Sequence, residues 1–201
     1  MVKCNPADRC RRAFTVQEIE AVLKVADSWR SLIKFGLYTG QRLGDLVNLS
    51  WTNLDLEKDL IRLTAAKTAR QVVIPICPAL KGHIGSLESC DDPKAPLHPR
   101  AHRIVRAERS VSYVCKQFAD LLKSSGVRQE AGVHRGKDRR KKHELSFHSL
   151  RHTFVSLLKN AGASQATVME LAGHRSEQVS ARYTHSSLQE LARATALLPE
   201  F

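Results

Sequence analysis

Thr52-Asn-Leu-Asp-Leu56, Leu60-Ile-Arg-Leu-Thr64 and Arg70-Gln-Val-Val-Ile-Pro75 lie within residues 51–75 and decide the fold class. In these runs apolar residues alternate with polar ones or cluster as β-branched pairs, which is the pattern of short strands. The segments between them are turn-length, so the three runs predict a small antiparallel meander. Lys67 falls in the turn between its second and third strands.

On both sides of this meander the period becomes helical. Thr15-Val-Gln-Glu18 has the form of a capping box, and Val16, Ile19, Leu23 and Ala26 follow at helical spacing. Residues 28–39 are apolar on most sides (Leu32, Ile33, Phe35, Leu37), which predicts a central helix; a short helix is expected over 43–49. Residues 88–109 read as a loop rich in Pro, His and Arg. An amphipathic helix follows with Val111, Val114, Cys115, Phe118, Leu121 and Leu122, Ser110 as its N-cap and Gly126 as its stop. Residues 127–144 read as a second loop. Helices are expected over 148–160, 164–172, 176–183 and 187–197. The class is therefore mainly α with one small three-stranded antiparallel sheet.

Composition narrows the function. The 201 residues carry 32 Lys+Arg against 20 Asp+Glu, a net charge of +12. Such an excess is the electrostatic footprint of a nucleic-acid binder. With 42% hydrophobic residues the chain folds and is not a basic disordered tail. No apolar run reaches the roughly 18 residues of a membrane span, and the N-terminus lacks the apolar core of a secretory signal. Five scattered cysteines (Cys4, Cys10, Cys77, Cys90, Cys115) do not form a disulfide framework, which fits a reducing, cytoplasmic compartment. Cys90, His98 and His102 include a His-x₃-His spacing, but no paired Cys-x₂-Cys accompanies them, so no metal site is expected. Tyr38 and Tyr113 lie within apolar helical patterns and read as core.

Four clusters carry chemistry: Thr39-Gly-Gln-Arg42-Leu-Gly-Asp45; Lys67; His148-Ser-Leu-Arg151-His152; and Leu171-Ala-Gly-His174 with Tyr183 nine residues later. Together they supply guanidiniums, imidazoles, an ammonium and a phenol, with no carboxylate pair. That inventory suits transesterification at a phosphodiester without a metal. The pentavalent transition state gains negative charge, and paired Arg forks stabilise it bidentately. A tyrosine is an oxygen nucleophile once a base or positive field ionises it. A lysine can protonate the leaving oxygen. His148 and Arg151 stand three residues apart at a helix start, where backbone amides favour an anion.

This constellation resembles the catalytic domain of the tyrosine recombinase (phage-type integrase) family. The matching motifs occur in the family's order: Thr-Gly-x-Arg, hairpin lysine, His-x-x-Arg-His, Leu-x-Gly-His and Arg-Tyr-x-His. The resemblance implies that Arg42 and Arg151 clamp the scissile phosphate while Tyr183 attacks it. Lys67 would then act as general acid, His148 as base or relay, and His174 as a phosphate hydrogen-bond donor. Asp45 and His152 would support these groups from behind. No cofactor is implied. Double-stranded DNA is the implied partner, together with other protomers in a tetrameric synapse engaged through the C-terminal helix (187–197). The alternatives are a type IB topoisomerase and a non-catalytic DNA-binding relative.

Two positions depart from the family's pattern: Ser149 stands where Asp is frequent, and Gly44 where Ser is common. Arg139, Arg140, Lys141 and Lys142 are expected to track the DNA backbone. Residues 1–13 read as an arm or linker and 14–201 as the catalytic domain. Full-length members carry a helical core-binding domain ahead of it, so the chain is expected to be a catalytic fragment.

Overall fold

The computed structural model describes residues 11–66, 69, 71–88, 90–128, 144–173 and 188–201. The first helix, α1 (Val16–Lys24), starts at the predicted capping box. Thr15 Oγ1 accepts from the Glu18 amide at 3.2 Å, and Glu18 accepts from the Thr15 amide at 2.9 Å. Its inward face is Ile19, Val22 and Leu23, while Val16 points outward.

A single 3₁₀ turn (Asp27–Trp29) leads into α2 (Arg30–Thr39). Leu32, Ile33, Phe35, Leu37 and Tyr38 of α2 are all buried, as expected of the central helix. It packs against α7 (Phe147–Asn160). Gly36 permits the close approach: a Cβ there would lie 2.9 Å from Leu150 Cδ1 and 3.3 Å from Phe147 Cζ. Helix α3 is shorter than expected, Leu43–Val47.

The sheet is the predicted meander, with order β1-β2-β3. Strand β1 is only Leu54–Asp55, because Trp51–Asn53 forms a 3₁₀ turn capped by Ser50 and Asn53. Strands β2 (Leu60–Thr64) and β3 (Gln71–Pro75) pair with Ile61 opposite Ile74 and Leu63 opposite Val72. Those four side chains enter the core, and Arg62 faces out toward Asp55 at 3.8 Å.

After the sheet the structure adds one helix in a stretch the sequence reading left unassigned and corrects one expected loop. Pro78–Gly85 forms α4, with Pro at the first turn and Leu80 and Ile84 buried. Pro99–Glu108, expected within a loop, is helix α5. Its Pro99 pre-sets φ at the start, Ala101 is buried, and Ile104 and Val105 pack on the core. The stretch 90–98 before it turns at 93–94 and lies beside residues 49–52, with Leu97 donating to Leu49 O at 2.8 Å and Thr52 to Pro93 O at 2.8 Å.

Helix α6 (Ser112–Ser124) buries Val114, Phe118 and Leu122. Val111, Cys115 and Tyr113 are exposed, which corrects their assignment to the core. Val111 is the N-cap at the open end of the helix. Tyr113 and Cys115 sit one position to either side of buried Val114, and 100° per residue is enough to turn them out. Ser110 caps one residue early, its Oγ accepting from the Ser112 amide at 3.1 Å.

Helix α8 (Gln165–Ala172) ends at Gly173, and α9 (Leu188–Ala196) packs on α8 and β3 of the same chain. Leu191, Ala194 and Leu198 are buried there, and the chain end is pinned where Phe201 N donates to Tyr38 Oη at 2.9 Å. Leu188 remains exposed, as do Ala192 and Leu197. Among the described residues no helix is long and apolar enough to cross a membrane. The helix expected over 176–183 lies outside the described residues, and so does most of the loop expected over 127–144.

Candidate active site

Two local devices bring the site together. The first is the turn between α2 and α3. Thr39 Oγ1 donates to Phe35 O at 2.6 Å, closing the last turn of α2, and Gly40 then reverses the chain at φ 63°. A methyl at Gly40 would overlap the Phe154 ring of α7. Gln41 is buried, and its Nε2 donates to Thr39 O and to Leu171 O, each at 2.9 Å. It therefore fastens this turn to the last turn of α8. Arg42 follows as the N-cap of α3, half-buried, its carbonyl accepting from the amides of Asp45 and Leu46 at 3.0 Å.

The second device is the start of α7. Ser146 is its N-cap residue: the Ser146 carbonyl accepts from the Ser149 amide at 2.8 Å, and Ser149 Oγ accepts from the Ser146 amide at 3.1 Å. Ser149 is thus a neutral, fully buried cap, also donating to Glu144 O at 3.3 Å. The box sets the rotation of α7, so His148, Arg151 and His152 share one face. The His148 and His152 rings meet edge to face with centroids 5.0 Å apart.

Arg151 is 3% exposed, and its Nη1 donates to Gly40 O at 2.8 Å. Its Nη2 is buried with no hydrogen-bond partner among the described residues. Burial, reinforced by the Arg42 charge and opposed by Asp45, pulls its pKa down to about 10, so the guanidinium remains charged at neutral pH. A buried cation with an unpaired donor is costly unless an anion completes it. Asp45 is buried at the start of α3, and its Oδ1 accepts from the Ala66 amide at 2.9 Å. Its Oδ2 has no partner among the described residues. Asp45 thus ties the helix bearing Arg42 to the end of the second strand.

Burial, followed by the charges of His152, Arg151, Arg11 and Arg42, pushes the His148 pKa down to about 4. His148 is therefore neutral at pH 7 and offers one ring nitrogen as a proton acceptor. Burial, Arg11 and Arg151 lower the His152 pKa as well.

Arg42, Asp45, His148, Arg151 and His152 thus meet at one place. Lys67, His174, Tyr183 and the run Arg139, Arg140, Lys141, Lys142 lie outside the described residues. Three further contributors escaped the sequence reading. Gln41 is the unspecified position of the Thr-Gly-x-Arg motif. Arg11 belongs to the segment read as an arm, yet its charge reaches both histidines. Arg100, Arg103, Arg106 and Arg109 are exposed along and just after α5, opposite Ile104 and Val105. The i, i+3 spacing of these arginines was a readable helical signal inside a segment dominated by Pro and His.

Comparison with known proteins agrees with this geometry. The chain is 29% identical over 191 residues to the tyrosine recombinase XerA of Thermococcus kodakarensis, covering 91% of this chain and 61% of that protein. It is 26% identical over 194 residues to the tyrosine recombinase XerC of Staphylococcus aureus, covering 90% of this chain and 58% of that one. The chain thus spans about three fifths of the length of these relatives. In fold it is similar to the integrase from mycobacterium phage Brujita, with a TM-score of 0.66 at 19% identity, covering 99% of this chain and 60% of that one. It also matches the lambda integrase catalytic core, TM-score 0.57 at 22% identity, over 82% of this chain and 96% of that one. Residues 12–190 fit the sequence profile of the phage integrase family, which takes in α1 through α8 and every motif quoted above, and the chain belongs to that family.

Proposed function

We propose that the chain carries the catalytic centre of a site-specific DNA recombinase, which cleaves and rejoins strands by transesterification through a 3′-phosphotyrosyl intermediate. The observation that carries this reading is the buried Arg151 guanidinium. One nitrogen is held by Gly40 O, and another is buried with no hydrogen-bond partner among the described residues, close to the Arg42 charge. Such an arrangement is completed by an oxyanion, and a phosphodiester in the family's substrate is one.

The steps follow from the side chains. Arg42 and Arg151 bind the non-bridging oxygens of the scissile phosphate. The Tyr183 oxygen attacks phosphorus, and the bond to the 5′-oxygen breaks. Lys67 gives that oxygen its proton, leaving a free 5′-hydroxyl and a 3′-phosphotyrosyl link. Neutral His148 takes up the phenol proton or relays it, and His174 hydrogen-bonds the phosphate. Attack by the 5′-hydroxyl of a second strand reverses the sequence and exchanges partners. Bond energy is retained in the phosphotyrosine, so the scheme calls for neither ATP nor a cofactor.

The partners follow the same reading. Lambda integrase has been solved bound to DNA, as a dimer on a core site and as a tetramer on a Holliday junction. For this chain the basic face of α5 supports duplex binding, alongside the Arg139–Lys142 run. Protomers would couple through the C-terminal segment. Its α9 packs on its own domain here, with Leu188 and Leu197 left exposed.

A nicked suicide duplex carrying the end sequence of the element that encodes the chain, incubated with the protein in EDTA, tests the proposal. On a denaturing gel a slow-migrating protein–DNA band is expected, and Tyr183→Phe should abolish it. Salt-sensitive duplex binding with no band from either protein would favour the non-catalytic binder instead.

A further inference from the structure

The segment ahead of α1 is laid across the start of α7 and fastened there. Arg12 N donates to Glu144 O at 3.2 Å, and Phe14 N donates to Thr153 Oγ1 at 2.8 Å. The Arg12 guanidinium forks onto Glu18, at 2.7 and 2.6 Å, with Glu144 at 3.6 Å. Arg12 is thereby neutralised by two carboxylates and serves as a clamp.

Arg11 next to it is different. It is exposed, and no carboxylate lies within ion-pair distance of it among the described residues. The clamp at Arg12 and the anchor on Thr153, the neighbour of His152, hold it over the face of α7 that carries His148 and His152. Its charge acts on both of those histidines and on Cys115 of α6. An added uncompensated cation beside two half-buried histidines, one of which also feels Arg42 and Arg151, is unfavourable in the free protein. Local frustration of this kind is the signature of a ligand site, and here the missing component is an anion.

We propose that Arg11 is a DNA-phosphate contact at the rim of the active site, binding the backbone next to the scissile position. The inference rests on the DNA-recombinase reading above. It adds a contact supplied by the N-terminal segment, held in register by Arg12 and Phe14. Because Arg11 faces an electropositive site, its contact is with phosphate and carries no base preference of its own.

The test is equilibrium binding of the full chain to a 30-bp duplex of mixed sequence, measured as a function of salt. Each neutralised phosphate contributes about 0.9 to the slope of log K against log salt. Arg11→Ala should lower the slope by about that amount and weaken binding about tenfold near 0.1 M salt. Arg11→Lys should keep the slope. Lys24→Ala, which removes the same charge from the far end of α1, should match the wild type. Thermal unfolding should not fall in Arg11→Ala, since no described hydrogen bond is lost and an uncompensated charge is removed. Wild-type-like binding by Arg11→Ala would overturn the proposal, as would an equal loss in Lys24→Ala or in Arg11→Lys. If the wild-type chain binds no duplex at any salt, the recombinase reading fails first and this contact with it.

Discussion

The buried donors around Arg42 show how much rests on single side chains. Gln41 contacts no reacting atom, yet its amide is the bond that joins the Arg42 turn to α8. Gln41→Leu would keep the volume and leave the carbonyls of Thr39 and Leu171 unpaired. Its expected cost is about 1–3 kcal/mol of stability. Formation of the phosphotyrosyl adduct should also slow at saturating DNA, because the guanidinium loses its fixed position. Wild-type adduct rates in a destabilised variant would assign Gln41 to folding alone. Gly40 is more restrictive. Gly40→Ala meets both a left-handed φ and the Phe154 ring, so a loss of about 2–4 kcal/mol is expected in the urea midpoint. A loss below about 0.5 kcal/mol would mean that the turn relaxes freely. The candidate reactive residues come from motif spacing. Arg11 does not, because its position depends on Thr153, 139 residues beyond its neighbour Phe14.

At the level of elements, α7 organises the site, and its N-terminal box decides which face it presents. Ser149 supports that box with a hydroxyl, which accepts from the Ser146 amide. Ser149→Ala should cost about 1 kcal/mol and speed amide exchange at residues 146–149. A variant with native stability and unchanged exchange would show that Ser146 suffices alone. Helix α5 illustrates the limit of composition as a guide. Pro99 sits where a helix tolerates it, and Arg100, Arg103 and Arg106 hold an outer face opposite Ile104 and Val105. The density of Pro, His and Arg pointed to a loop, while the spacing of the same residues carried the helix. Tyr113 shows the converse, an aromatic beside a buried stripe that a helical step of 100° leaves in solvent.

Across the molecule, burial of histidine sets the acid response. Burial, helped by the charge of His83, holds the His98 pKa down to about 3; it is packed edge-on against Phe35 at 5.0 Å. Burial, with Lys34 and Arg30, brings His83 down to about 4, and His148 is likewise near 4. Between these values and the ordinary 6.5 the unfolded chain binds protons that the folded chain does not. Stability is therefore fully present above pH 6.5 and falls as pH drops toward 4 and below. His98 alone should contribute on the order of 2–3 kcal/mol of that loss between pH 6.5 and 4. Urea midpoints across this range check the sign, and His98→Asn should flatten the curve. A wild-type midpoint that is level from pH 7 to 4 would contradict the assignment.

Taken alone, the sequence determined the elements with strong local period, the meander with its hairpin, the capping box at Thr15, and a motif order specific enough to name the family. Those signals sit within a few residues of one another, so periodicity and spacing carry them. Tertiary structure alone decided which charges meet. Arg151 reaches Gly40 across 111 residues, and Gln41 reaches Leu171 across 130. The neutral state of His148, the burial of the Arg151 guanidinium and the place of Arg11 all follow from such long-range contacts. Burial and charge proximity depend on segments far apart in the chain, and no local pattern encodes them.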